Sequence, residues 1–426
     1  MSRPTRRSRT PRSSRTRPTR SARRSRSKAI ATRKADPTLR LTRLMLRDFR
    51  SYGALTVAFT APIVVVSGEN GVGKTNLLEA ISLLGPGRGL RGARAAEFGR
   101  RLPEGPLPWA VAGRFENGDW PAFDLGTGTP EGGAPERRVF RLDGAPVRSQ
   151  AELAERVATL WLTPQMDRLF QDGAGDRRRF LDRLVWALEP HHAREVAAYE
   201  NAMAQRNRLL AAERREGKVA DPAWLSALED AMARHGVAAA AARRGLVGRL
   251  NATLAGGITG AFPAARLDLQ CGTAAALDSQ PALAVEDELR AAWAANRRRD
   301  AAAGATLEGP HRADLLFTHV PKGLPAGLCS TGEQKALLVA VVLAHAGLIA
   351  ASRGFAPLLL LDEVAAHLDA PRREALFAAL AALPAQSFLT GTDAAIFQPL
   401  RGVAEGFLAR PGELVPDSDL PVPGAG

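Results

Sequence analysis

The sequence predicts an α/β protein in which two separate parts of the chain complete one mixed sheet with helices. The first part contains a short β-branched run, residues 63–66, which suits a strand buried on both faces and leads through a glycine-rich turn into a helical pattern. The second part alternates strand and helix patterns over residues 307–408. Between them, from Asp176, the chain is alanine-rich and helical, which predicts a second, helical lobe.

The helical lobe is predicted to contain a short antiparallel hairpin. Residues 177–188, 190–215 and 222–255 have long helical patterns, and Pro222 marks the break between the last two. A helix of about 26 residues is about 40 Å long at 1.5 Å per residue. The hairpin is therefore predicted to be a stub and not a long coiled-coil arm.

The predicted organisation has five segments. Residues 39–170 and 306–410 are expected to form the N-terminal and C-terminal parts of the sheet-bearing lobe, with the helical lobe at residues 171–305 between them. Residues 411–426 are rich in Pro and Gly and are expected to be a loose tail. Residues 1–38 form a basic N-terminal tail.

The net charge of +14 is concentrated at the N-terminus. The first 40 residues carry 13 Arg and 2 Lys against one acidic residue, Asp36, so the rest of the chain is balanced. A segment with so few apolar residues buries too little surface to offset its ordering entropy, and residues 1–38 are predicted to be disordered. Two explanations of this tail stay open. It is either a DNA-binding arm that raises non-specific affinity, or upstream reading frame included by a misplaced start.

Cysteine content and hydropathy predict a cytoplasmic protein without a membrane span. Two cysteines, Cys271 and Cys329, do not make a disulfide framework, which favours a reducing compartment. The most apolar stretch, residues 336–350, is interrupted by His345 and is shorter than the roughly 20 residues of a membrane span. It is predicted to be a buried helix.

Residues 68–75 match the phosphate-binding loop pattern G-x-x-x-x-G-K-[ST]. A loop of this kind between a strand and a helix wraps phosphates with backbone N–H groups, and the helix N-terminus adds positive potential. Lys74 is predicted to hold the β- and γ-phosphates of ATP, and Thr75 to ligate Mg²⁺. The nucleotide-binding candidates here are Gly68, Glu69, Asn70, Gly71, Val72, Gly73, Lys74, Thr75 and Asn76.

Two carboxylates follow a leucine run, residues 358–361, which predicts a central strand. Asp362 and Glu363 then stand at the carboxyl end of that strand, where ligands bind in open α/β sheets. Asp362 is predicted to complete the Mg²⁺ coordination, and Glu363 to polarise the attacking water as general base. An acidic strand end is common by itself, but together with the phosphate-binding loop it indicates an ATPase.

A third motif, Ser330-Thr-Gly332-Glu-Gln-Lys, precedes an apolar helix pattern and lies 32 residues before Asp362. By itself it is consistent with a serine N-cap and a capping box. At this position it resembles the signature motif of ABC-type ATPases and predicts an ABC-type ATPase head. The resemblance implies that two subunits sandwich ATP, with Ser330 and Gly332 capping the γ-phosphate held by the partner.

Further positions fit the same superfamily pattern. Asp369 follows the two carboxylates like a D-loop residue. Thr392 or Asp393 takes the place of the γ-phosphate sensor, because the usual histidine is absent. Gln165 is a catalytic candidate, as the glutamine that links Mg²⁺ to the helical lobe. An exposed turn glutamine after Pro164 explains the same residue equally well.

Blocks of sequence over residues 41–408 resemble the RecF family. Residues 46–52, ahead of the phosphate-binding loop, are similar to the start of SMC-type and RecF heads, and they make Arg50 a further nucleotide-binding candidate. Lys74 lies only 288 residues before Asp362, which leaves no room for the long coiled coil of SMC proteins. The blocks that resemble RecF specifically are residues 87–91, 176–182 and 309–315.

Two of these blocks depart from the family pattern. Ala313 stands where the family usually has an acidic residue, and the first block reads Gly-Arg-Gly in place of Gly-Arg-Ser. Neither departure touches the ATP chemistry. His311 and Arg312 lie in a Gly-Pro-His-Arg turn with no second histidine at metal-ligand spacing, so the turn is predicted to be architectural or interface-forming.

Resemblance to RecF implies an ATP-dependent homodimer with weak, DNA-stimulated ATPase activity, associated with the nucleoid. It would clamp duplex DNA at junctions with single-strand gaps and, with RecR and RecO, help RecA replace single-strand-binding protein. Arg88, Arg91 and Arg94 form a basic stretch suited to phosphate contacts, with a solvated loop as the alternative. Aromatic residues are only 5% of the chain, so a stacking platform for single strands is not expected.

Two other functions stay open. A structural, DNA-bridging ATPase of SMC type would share these motifs, and DNA-stimulated turnover and RecR binding would separate it from RecF. An ABC ATPase with a membrane partner shares the signature and both phosphate-site motifs. It would have a shorter segment between them and a sensor histidine, and this sequence has neither.

Overall fold

The computed structural model describes residues 39–103, 105–118, 120–130, 137–216, 220–256 and 262–423, without the side chains of residues 213–216 and 367. The predicted basic tail, residues 1–38, lies outside this part of the chain. The described strands, in chain order, are β1 (Leu39–Phe49), β2 (Tyr52–Ala58), β3 (Ile63–Ser67), β4 (Arg101–Leu102), β5 (Gly105–Pro106), β6 (Ala110–Asn117), β7 (Trp120–Gly128), β8 (Val139–Leu142), β9 (Ala145–Pro146), β10 (Thr159–Leu162), β11 (Ala265–Gln270), β12 (Asp314–His319), β13 (Leu324–Pro325), β14 (Leu358–Leu361), β15 (Ser387–Gly391), β16 (Ala404–Arg410) and β17 (Glu413–Pro416).

The described α-helices lie mainly in the middle of the chain. They are α1 (Lys74–Leu84), α2 (Gln150–Arg156), α3 (Ala174–Leu188), α4 (His192–Glu216), α5 (Pro222–Ala255), α6 (Gly272–Ala276), α7 (Ala282–Ala295), α8 (Arg297–Ala303), α9 (Thr331–Arg353) and α10 (Ala370–Ala382). The three longest patterns of the predicted helical lobe correspond to α3, α4 and α5.

One sheet is assembled from both ends of the chain. Its strand order is β10-β14-β15-β3-β16-β17, and all neighbours run parallel except β16 and β17. All residues of β3 and β14 are buried, as expected for strands covered on both faces. The pairing places the carboxyl ends of β3, β14 and β15 side by side, so the predicted joining of two distant segments in one sheet is confirmed.

A second sheet is antiparallel and has the order β2-β1-β6-β7-β8-β9. Its first hairpin has a two-residue turn, because Phe49 pairs with Tyr52 across it. A three-stranded sheet, β11-β12-β13, follows the long helices, and β4 pairs with β5. The start of β2 contacts the loop that follows β3, because the Tyr52 hydroxyl donates to the carbonyl oxygen of Gly73.

Helix α9 is the central buried helix, as the sequence predicts. Within the described residues it is the one helix whose length and composition would suffice to cross a membrane, and 72% of its most apolar window is buried inside the protein. His345 is fully buried, and its Nε2 lies 2.7 Å from the carbonyl oxygen of Leu184, to which it donates. Burial lowers the pKa of His345 to about 3, so this histidine is neutral.

Helices α4 and α5 form the predicted antiparallel hairpin. Polar contacts between them join Glu195 to His235 at 2.7 Å and Arg206 to Glu229 at 2.9 Å, so residue numbers rise on one helix as they fall on the other. Arg206 is fully buried and also donates to Asp300 and Thr306. Removing one partner of a buried ion pair typically costs about 3–5 kcal/mol. The Arg206 guanidinium therefore holds the hairpin against the segment that contains Asp300 and Thr306.

The C-terminal segment is not loose, and that prediction was wrong for the residues up to 423. β17 pairs with β16, and the backbone N–H of Asp417 donates to the carbonyl oxygen of Gly406 at 2.8 Å. Leu420 is buried in the main core, and the partly buried Leu414 packs against the same core. These two leucines supply an apolar anchor that the Pro and Gly content of the segment concealed. The other segment boundaries stay predictions.

Candidate nucleotide-binding site

The loop from Gly68 to Gly73 has a backbone that only glycine adopts easily at three positions, Gly68, Gly71 and Gly73, and at the first and last of these a side chain would also clash. Gly68 has φ 149°, and a Cβ there would lie 2.7 Å from the carbonyl oxygen of Ala409. Gly73 has φ 115°, and a Cβ there would lie 2.7 Å from Ser51 Oγ. These glycines let the chain turn sharply from β3 into α1, as the phosphate-binding pattern requires.

The turn between β1 and β2 supports this loop from one side. Tyr52 Oη donates a hydrogen bond of 3.0 Å to the carbonyl oxygen of Gly73, and Asn76 Nδ2 donates to Ser51 Oγ at 3.0 Å. Burial raises the pKa of Tyr52 to about 12, so its hydroxyl stays protonated and able to donate. The residues next to the predicted candidate Arg50 therefore contact the loop.

Lys74 begins α1, and its side chain is almost fully buried. Its Nζ donates to the carbonyl oxygens of Gly68 at 2.7 Å and Glu69 at 2.9 Å. The same Nζ lies 3.5 Å from Glu363 Oε1. The ammonium group thus stands between the loop and the carboxylate that follows β14, at the positive end of a helix.

Asp362 lies at the centre of the site. Thr75 Oγ1 lies 3.0 Å from each of its carboxylate oxygens, and Thr390 Oγ1 donates to Oδ1 at 2.7 Å. Burial raises the pKa of Asp362, and the hydrogen bonds from Thr390 and Thr75 oppose that rise. These contacts join the end of β14 to the start of α1 and the end of β15.

Glu363 has a backbone conformation that is rare for its residue type. Its φ is 55°, in the left-handed region, and its backbone N–H donates to Thr390 Oγ1 at 3.0 Å. This hydrogen bond holds the strained residue so that its carboxylate faces Lys74. Strain that is maintained in this way is typical of functional sites.

The donor set fits a magnesium ion bound together with a nucleotide. Thr75 Oγ1 and the Asp362 carboxylate are hard oxygen ligands, and they lie within 3.0 Å of each other. Across the described residues there is no group of three or more His, Cys, Asp and Glu able to hold a metal ion. Mg²⁺ commonly takes one or two protein oxygens, with substrate phosphates and water as its remaining ligands. The arrangement suits that mode and not a closed metal cage.

The third motif forms the predicted capping box at the start of α9. Ser330 is the N-cap, its Oγ accepts from the backbone N–H of Glu333, and Glu333 in turn accepts from the backbone N–H of Ser330. The hydrogen bond from Lys322, followed by those from Ser330, lowers the pKa of Glu333 to about 2. Ser330 itself is exposed. In the described part of the chain, no hydrogen bond or ion pair joins Ser330 to Lys74 or Asp362.

Asp369 lies next to this motif. It is the N-cap of α10 and accepts from the backbone N–H of Arg372 at 2.9 Å. A Cβ built on Gly332 would lie 3.6 Å from Arg372 Nη1, so the start of α10 borders the start of α9. The signature-like and D-loop-like candidates, Ser330 and Asp369, therefore lie on one exposed surface. In the described residues neither is hydrogen-bonded or ion-paired to Lys74.

Arg50 is held by a buried carboxylate that no sequence motif singled out. Glu79 on α1 is fully buried and accepts from Arg50 Nε at 2.8 Å and Nη2 at 3.0 Å. It also accepts from Arg91 Nη1 at 2.7 Å, and Arg91 donates to Asn76 Oδ1 at 3.0 Å as well. Both arginines thus brace α1, and the structure gives Arg50 no contact with the loop atoms that would meet phosphate. Arg88 and Arg94 are exposed.

Thr390, to which no sequence motif pointed, occupies the place between the two carboxylates. The proposed sensor Asp393 accepts from the backbone N–H of Ala395 at 2.9 Å and so caps a short 3-10 turn. Thr392 is exposed. Thr390 contacts both Asp362 and Glu363, and the signal for it was its position at the end of the strand beside β14.

The position of Gln165 is consistent with both interpretations, a glutamine that links Mg²⁺ to the helical lobe and an exposed turn glutamine. It is exposed in the turn after β10, the strand that pairs with β14. It lines a cavity of about 200 Å³ together with Trp161, Thr163 and Arg183. The position suits a glutamine that reaches toward the site and also suits a turn glutamine.

Two of the blocks that resemble the family pattern, residues 176–182 and 309–315, are held together by side-chain contacts. Arg177 forms a fork with Asp314 at 2.7 and 2.8 Å, and Arg243 forms one with Asp182 at 2.7 and 2.9 Å. His311 Nδ1 lies 2.6 Å from the hydroxyl of Tyr199, and burial lowers the pKa of His311. These contacts support the architectural interpretation of the Gly-Pro-His-Arg turn.

Comparison with known proteins agrees with this geometry. A model of the AAA domain family matches residues 43–91. The DNA replication and repair protein RecF of Mesorhizobium japonicum is 49% identical over 381 residues, which cover 89% of this chain and 98% of the relative. The RecF of Rhizobium meliloti is 48% identical over 362 residues, covering 84% and 94%.

Solved structures share the fold. The recombination mediator protein RecF-ATPrS in the RecFOR pathway matches with a TM-score of 0.78 at 21% identity, covering 90% of this chain and 99% of that one. The corresponding RecF-ATP structure matches with a TM-score of 0.76 at 21% identity, covering 89% and 98%. The fold class predicted from the sequence is thereby confirmed.

Replacing Thr390 by Val should slow ATP hydrolysis by at least about tenfold, because Asp362 loses a donor and the N–H of Glu363 loses its acceptor, at a cost of about 1–3 kcal/mol for each group left unsatisfied. Thr392→Val is the matched control and should stay within about twofold of the unchanged protein. Steady-state hydrolysis rates compare the two. If Thr392→Val slowed hydrolysis and Thr390→Val did not, Thr392 would be the γ-phosphate sensor and the prediction for Thr390 would be wrong.

Proposed function

The chain belongs to the RecF family of DNA replication and repair proteins, and we propose that it is an ATPase that clamps duplex DNA beside single-strand gaps. One observation carries the ATPase part of the proposal. The carboxyl ends of β3, β14 and β15 bring Lys74, Thr75 and the two carboxylates Asp362 and Glu363 into one cluster. Ligands of open α/β sheets bind at this edge.

The residues of the cluster have complementary tasks. Lys74 exchanges its two carbonyl partners for phosphate oxygens, while the backbone N–H groups of the loop surround the phosphates. Thr75 and Asp362 would hold Mg²⁺, which neutralises charge on the phosphates when bound. Glu363 accepts a proton from the attacking water, and the hydrogen bond from its backbone N–H to Thr390 keeps the carboxylate in place.

The signature-like motif supports an ATP-dependent homodimer. Ser330 lies at the exposed N-terminus of α9, a helix end suited to a phosphate, and yet it has no contact with Lys74 in its own chain within the described residues. Large apolar side chains are exposed in the segment just before it: Val320, Leu324 and Leu328, the last 73% exposed. Exposed apolar groups beside a polar site favour a protein interface. A second copy would bring Ser330 to the partner's ATP.

Mixing two inactive variants should restore activity if the site is shared. Lys74→Ala destroys the phosphate site and Ser330→Arg destroys the opposing helix end, so each alone should be inactive. In an equal mixture half of the dimers are mixed, and each mixed dimer keeps one intact composite site, which predicts roughly a quarter of normal hydrolysis. Normal hydrolysis by Ser330→Arg alone, or a mixture with no activity, would contradict the shared site.

DNA and partner proteins are proposed from family membership and surface charge. Arg88 and Arg94 are exposed in the segment after α1 and suit contacts with duplex phosphates. Arg91 is tied to Glu79, so it is the weakest of the three candidates. The structurally similar RecF is described as a recombination mediator of the RecFOR pathway. We therefore propose RecR and RecO as partners, with RecA as the protein they help to load, in the cytoplasm.

Gapped duplex DNA should stimulate ATP hydrolysis by the full chain, and replacing both Arg88 and Arg94 by Ala should weaken the stimulation. The salt dependence of DNA binding should also fall, by roughly 0.9 in log–log slope for each phosphate that is no longer neutralised. Arg43→Ala with Arg47→Ala, exposed on β1, is the matched control. Equal stimulation by ungapped duplex would favour an SMC-type bridging ATPase, and no stimulation would favour an ABC-type ATPase with another partner.

A further inference from the structure

A groove of about 840 Å³ opens between the turn that follows α1 and the helices α2, α3 and α4. We call it the α2–α4 groove. Its volume lies in the range of sites that bind compact ligands, which is about 300–1,000 Å³. Much of its wall is apolar: Ala154, Val157, Trp161, Trp186, Val196 and Ala197.

Two N–H groups in the wall of this groove have no acceptor. Trp186 Nε1 and Arg183 Nε are enclosed and find no hydrogen-bond partner among the described residues. The Arg183 guanidinium lies over the rings of Trp161 and Phe180, with its Cζ 4.5 and 5.2 Å from the ring centroids. Its one described hydrogen-bond acceptor is Met166 Sδ at 3.6 Å. Because these two nitrogen atoms have almost no accessible surface, Arg183 contributes its charge and Trp186 its apolar ring to the wall, and neither nitrogen donates to an occupant.

The charge of the groove is strongly unbalanced. Its two carboxylates are Asp182, which is already bound by Arg243 and His192, and Glu200. Five arginines line it: Arg88, Arg179, Arg183, Arg194 and Arg353. Of these, Arg88 and Arg194 are exposed and make no side-chain hydrogen bond or ion pair in the part of the chain that the structure describes. The rim therefore presents cations that are available to an acidic occupant.

We propose that the α2–α4 groove is a docking site for an acidic segment of a partner protein that carries aromatic or aliphatic side chains. The carboxylates of that segment pair with Arg194 at the rim, and with Arg88 when no duplex DNA is bound to it. Its apolar side chains cover Trp161, Trp186 and Val196. A nucleic-acid backbone meets the arginines equally well, but it has no apolar group to place against those walls, and so a peptide is the better match.

A labelled peptide tests this surface directly. The probe is a fluorescein-labelled nonapeptide of Asp and Glu residues around a central Leu-Phe pair, titrated with the full chain and followed by fluorescence anisotropy. Two control peptides replace the acids by Lys or the Leu-Phe pair by Ser. The probe should bind saturably and at least about tenfold more tightly than either control. No saturable binding, or equal binding of the Lys peptide, would overturn the proposal.

Variants then locate the binding. Ala197→Trp fills the groove and Arg194→Glu reverses the rim charge, and each should weaken probe binding by about tenfold. Arg208→Glu is the matched control. Arg208 is on the same helix, about 21 Å from Arg194 at 1.5 Å per residue, and its replacement should change probe binding less than twofold. Unchanged melting temperatures establish that the variants are folded. Binding that survives Ala197→Trp would show that the groove is not the peptide site. Loss of duplex DNA binding in Ala197→Trp would show that the groove holds nucleic acid instead.

Discussion

The hydrogen-bonded carboxylate of Asp362 is the constraint on which the site depends. A buried charge is costly unless its oxygens are hydrogen-bonded, and here the donors are Thr75 and Thr390, on two elements distant from it in sequence. Those hydroxyls reach Asp362 only when β3, β14 and β15 lie side by side in register. The phosphate-binding loop, the general base and the sheet are thus fixed by one cluster.

A second buried carboxylate, Glu79, holds α1 in place behind the phosphate-binding loop. Glu79 binds Arg50 from the turn between β1 and β2 and Arg91 from the segment after α1. Burial raises the pKa of Asp362, and the positive charge of Arg91 is one of the smaller effects that oppose this rise. The basic segment proposed to contact DNA is therefore linked to α1 and the ATP site by hydrogen bonds. A displacement of that segment would move the side chains that hold α1. This link gives a physical route by which DNA could change the hydrolysis rate.

Much of the site follows from the sequence, because its motifs are local. The glycine-rich loop, the acidic pair after a leucine strand and the capping serine each need only a few neighbouring residues to be recognised. Thr390 and Glu79 could not be assigned in the same way, because their roles come from side chains brought together across the chain. Strand β17 was missed since two leucines anchor a segment whose composition suggests a loose tail. Gln165 stays ambiguous because an exposed turn suits both of its roles.

The most direct test of the account is calorimetric titration of ATP into the unchanged protein and into Asp362→Asn, each with and without Mg²⁺. Asparagine keeps the size of the side chain and removes the charge. Mg²⁺ should tighten ATP binding to the unchanged protein, and this gain should disappear in Asp362→Asn while binding without Mg²⁺ changes little. An equal gain from Mg²⁺ in both proteins would contradict the account, because the ion would then be held without Asp362.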